Sequence, residues 1–383
     1  MALTTDTNCA NPDPTKNPYE GTWICPDEAA IPNTPEGNMI RYGKELLTKT
    51  YKYMTQLGVV PAYSIGNQLS CTNCHVDEGR GAYSGSWAVI YYKYGGGDAH
   101  VAPNQGSYSS RINQYLTVSG RIQDCLQRSM NAQTNLLDNN SYEMQSMVSY
   151  MKWLSTGVQW WDMGGPVTDW KQVKGQSFIP VSGLTRPTDP VRGKTVYEEN
   201  CAVCHGSDGE GIWDSANQVY IYPAVWGPRS FNDGAGMYRL RTAVGFIKGI
   251  MPYGWANATD ATHQLTAADA WDAMTYVVYN NRPQWWNRLN DWNCIPVNGV
   301  TCINSVNGVS YGPDGVPDWM RKLVDTGYPN YYPRLNGMQY TCNTAYPQVF
   351  TEAKHLYGPW SDMITLQSKI ISDFNAGLQP ACP

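Results

Sequence analysis

Charge is scarce along this 383-residue chain. Only 15% of its residues are Asp, Glu, Lys or Arg, and the formal balance is −5. Without a basic field the sequence argues against nucleic acid as a partner. Long apolar runs are missing as well, and no stretch approaches the ~20 residues that a membrane-spanning helix requires. Phenylalanine is rare, at 5 residues, beside 15 Trp and 27 Tyr. The aromatic content is therefore mostly amphipathic and suits pockets and interfaces with one dry and one wet end. The first ten residues contain no hydrophobic leader core.

Cysteine is not scarce, and its placement is informative. Cys71-Thr72-Asn73-Cys74-His75 and Cys201-Ala202-Val203-Cys204-His205 each have the Cys-x-x-Cys-His spacing that attaches a c-type haem. Two thiols add to the vinyl groups of one porphyrin and the adjacent histidine binds the iron. A zinc site would need two such pairs converging on one metal, and a thioredoxin-like motif would need a βαβ setting. The reading that follows is a cytochrome with two covalently bound c-type haems. Haem attachment normally follows export, so the expected compartment is periplasmic or extracellular, with the leader absent from this chain. Four haem anchors leave seven of the 11 cysteines. Pairing Cys9 with Cys25, Cys294 with Cys302 and Cys342 with Cys382 leaves Cys125 over, because seven is odd.

Periodicity sets out the rest. Helical spacing runs over 39–57, again over 141–156 with Asn140 as cap, and over 267–279 with Thr266 and Asp269 resembling a capping box. The stripe Met144, Met147, Met151 reads as core packing. The expected fold is mostly α: two class-I-like cytochrome c domains with irregular N- and C-terminal extensions. Its divisions are an N-terminal arm (1–36), a first cytochrome domain (37–157), a linker (158–189), a second cytochrome domain (190–283) and a C-terminal extension (284–383).

Axial ligation decides the chemistry of each haem. His75 and His205 supply one ligand each. On the distal side of the second haem Met251, which precedes Pro252, leads over Met237 and Lys248. For the first haem the candidates are Cys125, His100, Met130 or an open site. Arg121 and Arg128 flank Cys125 and favour its thiolate.

The residues 121–131 around Cys125 resemble the thiosulfate dehydrogenase family of dihaem cytochromes. So do Ile31-Pro32 with 40–50, Glu143-Met144 with Trp153-Leu154-Ser155, Tyr222-Pro223, Trp226-Gly227-Pro228, the run 230–237, and Met251-Pro252. The resemblance spans roughly residues 30–283. It implies a cysteine ligand, Cys125, on the first haem and a methionine, Met251, on the second. It also implies a substrate site at the first haem built from Arg111, Arg121 and Ser129, with Arg128 beside them, where thiosulfate is oxidised to tetrathionate, reversibly if the haem potentials permit. The acceptor would be a small soluble cytochrome c or a high-potential iron–sulfur protein. Ala132 and the long loop over 82–110 depart from the family's pattern. A second reading of the same sequence is a non-catalytic electron carrier. Its low charge and abundant Tyr and Trp would then serve self-association, extending to a polymer.

Overall fold

The computed structural model describes residues 19, 21–56, 66–95, 107–109, 114–132, 137–159 and 170–285, together with a two-stranded ribbon at 305–306 and 309–310. The described part is mostly helical with little strand.

Helix α1 (Pro35–Thr48) starts where Thr34 accepts a hydrogen bond from Gly37 N–H and Pro35 occupies the first turn. Ile40, Gly43, Leu46 and Leu47 form its buried face. The periodic stretch is not one helix to residue 57: Lys49 leaves helical geometry, and a wider turn follows at Lys52–Gln56. The one-turn helix α2 (Ile90–Lys93) and strand β1 (Ser107–Ser109) lie in the stretch read as a long loop, and β2 (Gln114–Leu116) pairs with β1 just beyond it. Helix α3 (Val118–Arg128) is capped by Thr117, and α4 (Tyr142–Ser155) by Ser141 rather than Asn140. The methionine stripe of α4 is core, with Met144, Met147 and Met151 all buried.

The remaining helices repeat the scheme. Helix α5 (Pro190–Asn200) is capped by Asp189 and runs into α6 (Ala202–His205), which carries the second Cys-x-x-Cys-His. The hairpin β3 (Ile212–Asp214) and β4 (Val219–Tyr222) follows, then α7 (Leu240–Ile250) and α8 (Ala267–Tyr279). Thr266 caps α8 from both sides, accepting from Asp269 N–H while its hydroxyl donates to the Asp269 carboxylate.

Two crossings position everything else. Helix α1 packs across α4, and α5 across α8. A glycine makes each one possible. A Cβ on Gly43 would lie 1.9 Å from the Ser146 carbonyl oxygen, and one on Gly193 would lie 2.0 Å from that of Asp272. Backbones this close leave no room for a side chain. Around each crossing sits its own apolar core, one containing Leu46, Met147 and Leu154, the other Tyr197, Trp271 and Val278. Met237 and Tyr238 pack against both.

The regions read as arm and linker are packed in. Tyr19, Trp23 and Ile31 are buried in the first core, and Tyr19 Oη donates to Ser86 Oγ at 2.7 Å. Val158 and Val173 enter the first core, whereas Val181 and Leu184 pack on the second.

Candidate active site

The first Cys-x-x-Cys-His segment lies against the end of α1. Thr50 Oγ1 accepts from Cys71 N–H at 3.1 Å and donates to Cys71 Sγ at 3.4 Å. His75 Nδ1 donates to the Gly85 carbonyl at 2.5 Å, which leaves Nε2 as the nitrogen that would bind a haem iron. Gly85 permits this approach: its φ is +70°, and a Cβ there would sit 3.1 Å from His75 Nδ1. Burial pushes the His75 imidazole down to about 4, so it stays neutral and able to ligate.

A largely apolar cavity opens beside this segment, the kind of setting in which cofactors are held. Its walls include Cys71, Cys74 and His75 from the motif, Leu47 and Met151 from the crossing helices, Trp87 and Ile90, and Arg121, Ile122, Cys125, Ser129 and Met130 from the α3 segment. Covalent haem fits these residues. Two thiols and a histidine with its Nε2 free reach one apolar cavity, and burial holds both thiols protonated, at about 12, before attachment. Cys125 and Met130 are the described candidates for the far side. His100 and Arg111 lie outside the described residues.

Arg121, Cys125 and Ser129 fall four residues apart, so α3 presents all three to the cavity. The charge of Cys125 is the main reason that Arg121 holds its proton well above the ordinary guanidinium range. Asp124 accepts from Arg121 Nη1 through one carboxylate oxygen and from Arg128 Nε through the other.

Arg128 does not belong with the cavity residues. It is 2% exposed, its guanidinium stacks 3.6 Å from the Trp285 ring centroid, and Nη1 donates to the Gly234 carbonyl at 3.3 Å. Those contacts tie α3 to Trp285 and, through Gly234, to the segment 230–238. The same segment closes the carboxyl end of α3. Asn232 Nδ2 donates to the Gln127 carbonyl at 2.9 Å, Asn232 N–H to that of Arg128 at 3.3 Å, and Asn67 Nδ2 to that of Ser129 at 2.8 Å. Carbonyls that a helix end leaves open are thus satisfied from elsewhere in the chain. Sequence reasoning missed Asn67, Asp124 and Asn232; the only signal for Asn232 was its place in the resembling run 230–237.

At the second motif, His205 Nδ1 donates to the Pro223 carbonyl at 2.8 Å, again leaving Nε2 free. Cys201 packs on the second core, where burial raises its thiol to about 12. Met251 ends α7 and precedes a cis peptide bond to Pro252. Its rival Lys248 is occupied, donating to Gln264 Oε1 and to the Leu265 carbonyl, both at 2.9 Å. Cys25 is disulfide-bonded. None of Cys71, Cys74, Cys125, Cys201 and Cys204 is in a disulfide.

Known proteins similar to this chain include several thiosulfate dehydrogenases. The chain is 37% identical over 267 residues to a thiosulfate dehydrogenase of Psychrobacter arcticus, with 70% of each chain covered. This chain belongs to the thiosulfate dehydrogenase family. A second member, from Stutzerimonas stutzeri, is 33% identical over 70% of this chain and 76% of its own. The cytochrome c family model matches residues 190–280. Among solved structures the thiosulfate dehydrogenase TsdBA of Marichromatium purpuratum is similar, with a TM-score of 0.56 and 32% identity over 68% of this chain; this chain spans about half of that one, 49%. Family membership makes the protein a cytochrome c oxidoreductase. No helix among the described residues is long and apolar enough to cross a membrane.

Proposed function

We propose that this chain is an exported dihaem cytochrome c that couples two thiosulfate ions to tetrathionate. The observation that carries this is the cavity itself: Cys125, Arg121 and Ser129 from one helix face the first Cys-x-x-Cys-His segment across it. We read two cytochrome domains, over 37–157 and 190–283, a division that the two helix crossings support. When bound, the two haems supply one-electron acceptors, one ligated by His75 and Cys125 and the other by His205 and Met251.

The residues divide the remaining work. A small dianion needs fixed donors and positive charge, and the Arg121 guanidinium offers both. With Nη1 committed to Asp124, the rest of its fork can serve the substrate. The Ser129 hydroxyl adds a neutral donor on the same helix face. Arg111 is proposed as a third contact on the strength of the resemblance alone. Cys125 supplies the nucleophile. Its thiolate bonds to the sulfane sulfur of one thiosulfate as two electrons depart, leaving a cysteine S-thiosulfonate. A second thiosulfate then attacks that sulfur, releases tetrathionate and restores the thiolate. Charge balances at −3 across each step, and reversing both steps reduces tetrathionate. Electrons leave for an external small cytochrome or high-potential iron–sulfur protein.

The test is anaerobic turnover of thiosulfate with ferricyanide, measuring tetrathionate alongside acceptor reduction. One tetrathionate per two thiosulfates and two ferricyanides is expected. Absence of turnover in both directions, from protein carrying both haems, would refute the reading in favour of an electron carrier.

A further inference from the structure

The cavity residues absorbed above leave one cation beside them unexplained. Lys93 ends α2 three residues after Ile90, which lines the cavity, so the two share a side of that single turn. Its Nζ lies 5.0 Å from the Trp170 ring centroid and 5.7 Å from that of Tyr94. Ring faces hold an ammonium in place without neutralising it. Among the described residues no carboxylate pairs with Lys93.

We propose that Lys93 is a positioning residue for the substrate, holding the oxyanion end of thiosulfate opposite Arg121 so that the sulfane sulfur faces Cys125. This assignment rests on the reading given under Proposed function and extends it to a residue outside the 121–131 segment. Two like charges facing one site repel each other, and a dianion between them turns that repulsion into attraction on both sides.

The surroundings of Lys93 point the same way. Burial, and then the charge of Arg121, pull the Lys93 ammonium down to about 8, so the two cations sense each other. Lys171 lies 5.8 Å from the same Trp170 ring, and Lys152 on α4 lies 5.8 Å from the Tyr91 ring. Among the described residues, Arg121, Lys171 and Tyr94 are thus ionisable groups near Lys93, and two of the three are cations. In a chain with net charge −5, that local concentration draws anions toward this edge of the cavity.

Steady-state kinetics on the two-haem protein, with thiosulfate and ferricyanide, test the assignment. Lys93→Gln should raise the thiosulfate KM roughly tenfold at pH 7, the loss of one charge-assisted contact, with kcat and the ferricyanide KM nearly unchanged. In wild type the thiosulfate KM should climb above a pH of about 8 as free Lys93 loses its proton, and Lys93→Arg should abolish that climb. Wild-type turnover with an unaltered KM in Lys93→Gln would overturn the role of Lys93 and leave the parent reading standing. Equal losses of kcat in the Gln and Arg variants would overturn it too, because they would mark a structural residue. A wild type that turns over neither thiosulfate nor tetrathionate would overturn the parent reading, and the role of Lys93 with it.

Discussion

Replacing Asp272 by Asn should loosen the crossing of α5 and α8 by about 2–3 kcal/mol. The Asp272 side chain is fully buried and gathers Arg186 Nη2 at 2.7 Å, Arg186 Nη1 at 3.1 Å, Arg192 Nη1 and Asp189 N–H at 2.9 Å. Breaking a buried pair by removing one partner costs about 3–5 kcal/mol. Here the arginine side chains stay 44% and 42% exposed and can return to water, which places the expected cost at or just below the bottom of that range. Asn keeps one acceptor but turns an amide donor toward guanidinium donors. The assay is urea unfolding followed by far-ultraviolet circular dichroism, at pH 7 and stepwise toward pH 3. Burial raises the Asp272 carboxyl, but Arg186, Asp189 N–H and Arg192 together outweigh it and leave the folded value below the ordinary one. A depressed carboxylate contributes stability above its unfolded value of about 3.9 and loses it as pH falls through the folded value. The wild-type advantage over the variant should therefore be full at pH 7 and shrink below a pH of about 4. A difference under about 0.5 kcal/mol at pH 7, or one that does not change with pH, would refute the reasoning.

At the other crossing, Gly43→Ala should cost at least about 2 kcal/mol, because its Cβ meets the Ser146 carbonyl oxygen at 1.9 Å and the backbone cannot step aside cheaply; unchanged urea midpoints would show that the helices do not meet there. Arg128→Met and Arg121→Met should separate a junction residue from a substrate residue. The first removes one of the two arginine partners of Asp124, which is only 7% exposed, and should lower stability by about 2–4 kcal/mol with the thiosulfate KM little changed. The second should raise that KM at least tenfold, and the reverse pattern in the two variants would restore Arg128 to the site. Cys125→Ala should retain two haems per chain by pyridine haemochrome assay while losing at least about a hundredfold in turnover, since it removes the nucleophile. Full activity in that variant would eliminate the cysteine adduct.

What the sequence disclosed is what is local. The haem motifs depend on five consecutive residues, and α8 on a cap and periodicity contained within residues 266–279. The shared face of Arg121, Cys125 and Ser129 needs only helical spacing, and α3 supplies it. Arg128 shows where such reasoning stops. Its position three residues after Cys125 is compatible with the same face, and nothing in its neighbourhood excludes a substrate role. The competing partners, Trp285 and the Gly234 carbonyl, lie far along the chain. The packing of the arm and linker was hidden for a similar reason. Tyr19, Trp23 and Val173 find places in the first core against residues distant in sequence.

The capping of α3 bears on how the two halves work together. Its Gln127, Arg128 and Ser129 carbonyls are held by Asn232 and Asn67, and Asn67 Nδ2 also donates to the Ser230 carbonyl at 3.0 Å. The helix that presents Cys125 and Arg121 is therefore seated on the segment leading into α7, and α7 ends at Met251. Asn232 is fully buried and its oxygen is itself engaged by Gly234 N–H at 2.9 Å, so the seat has few ways to rearrange. Placement within about half an ångström governs reactivity at such sites. On the proposed function, a rigid seat from the second half would set the position of the sulfur chemistry as directly as the residues that touch the cavity, although the run 230–237 lies outside the cavity walls.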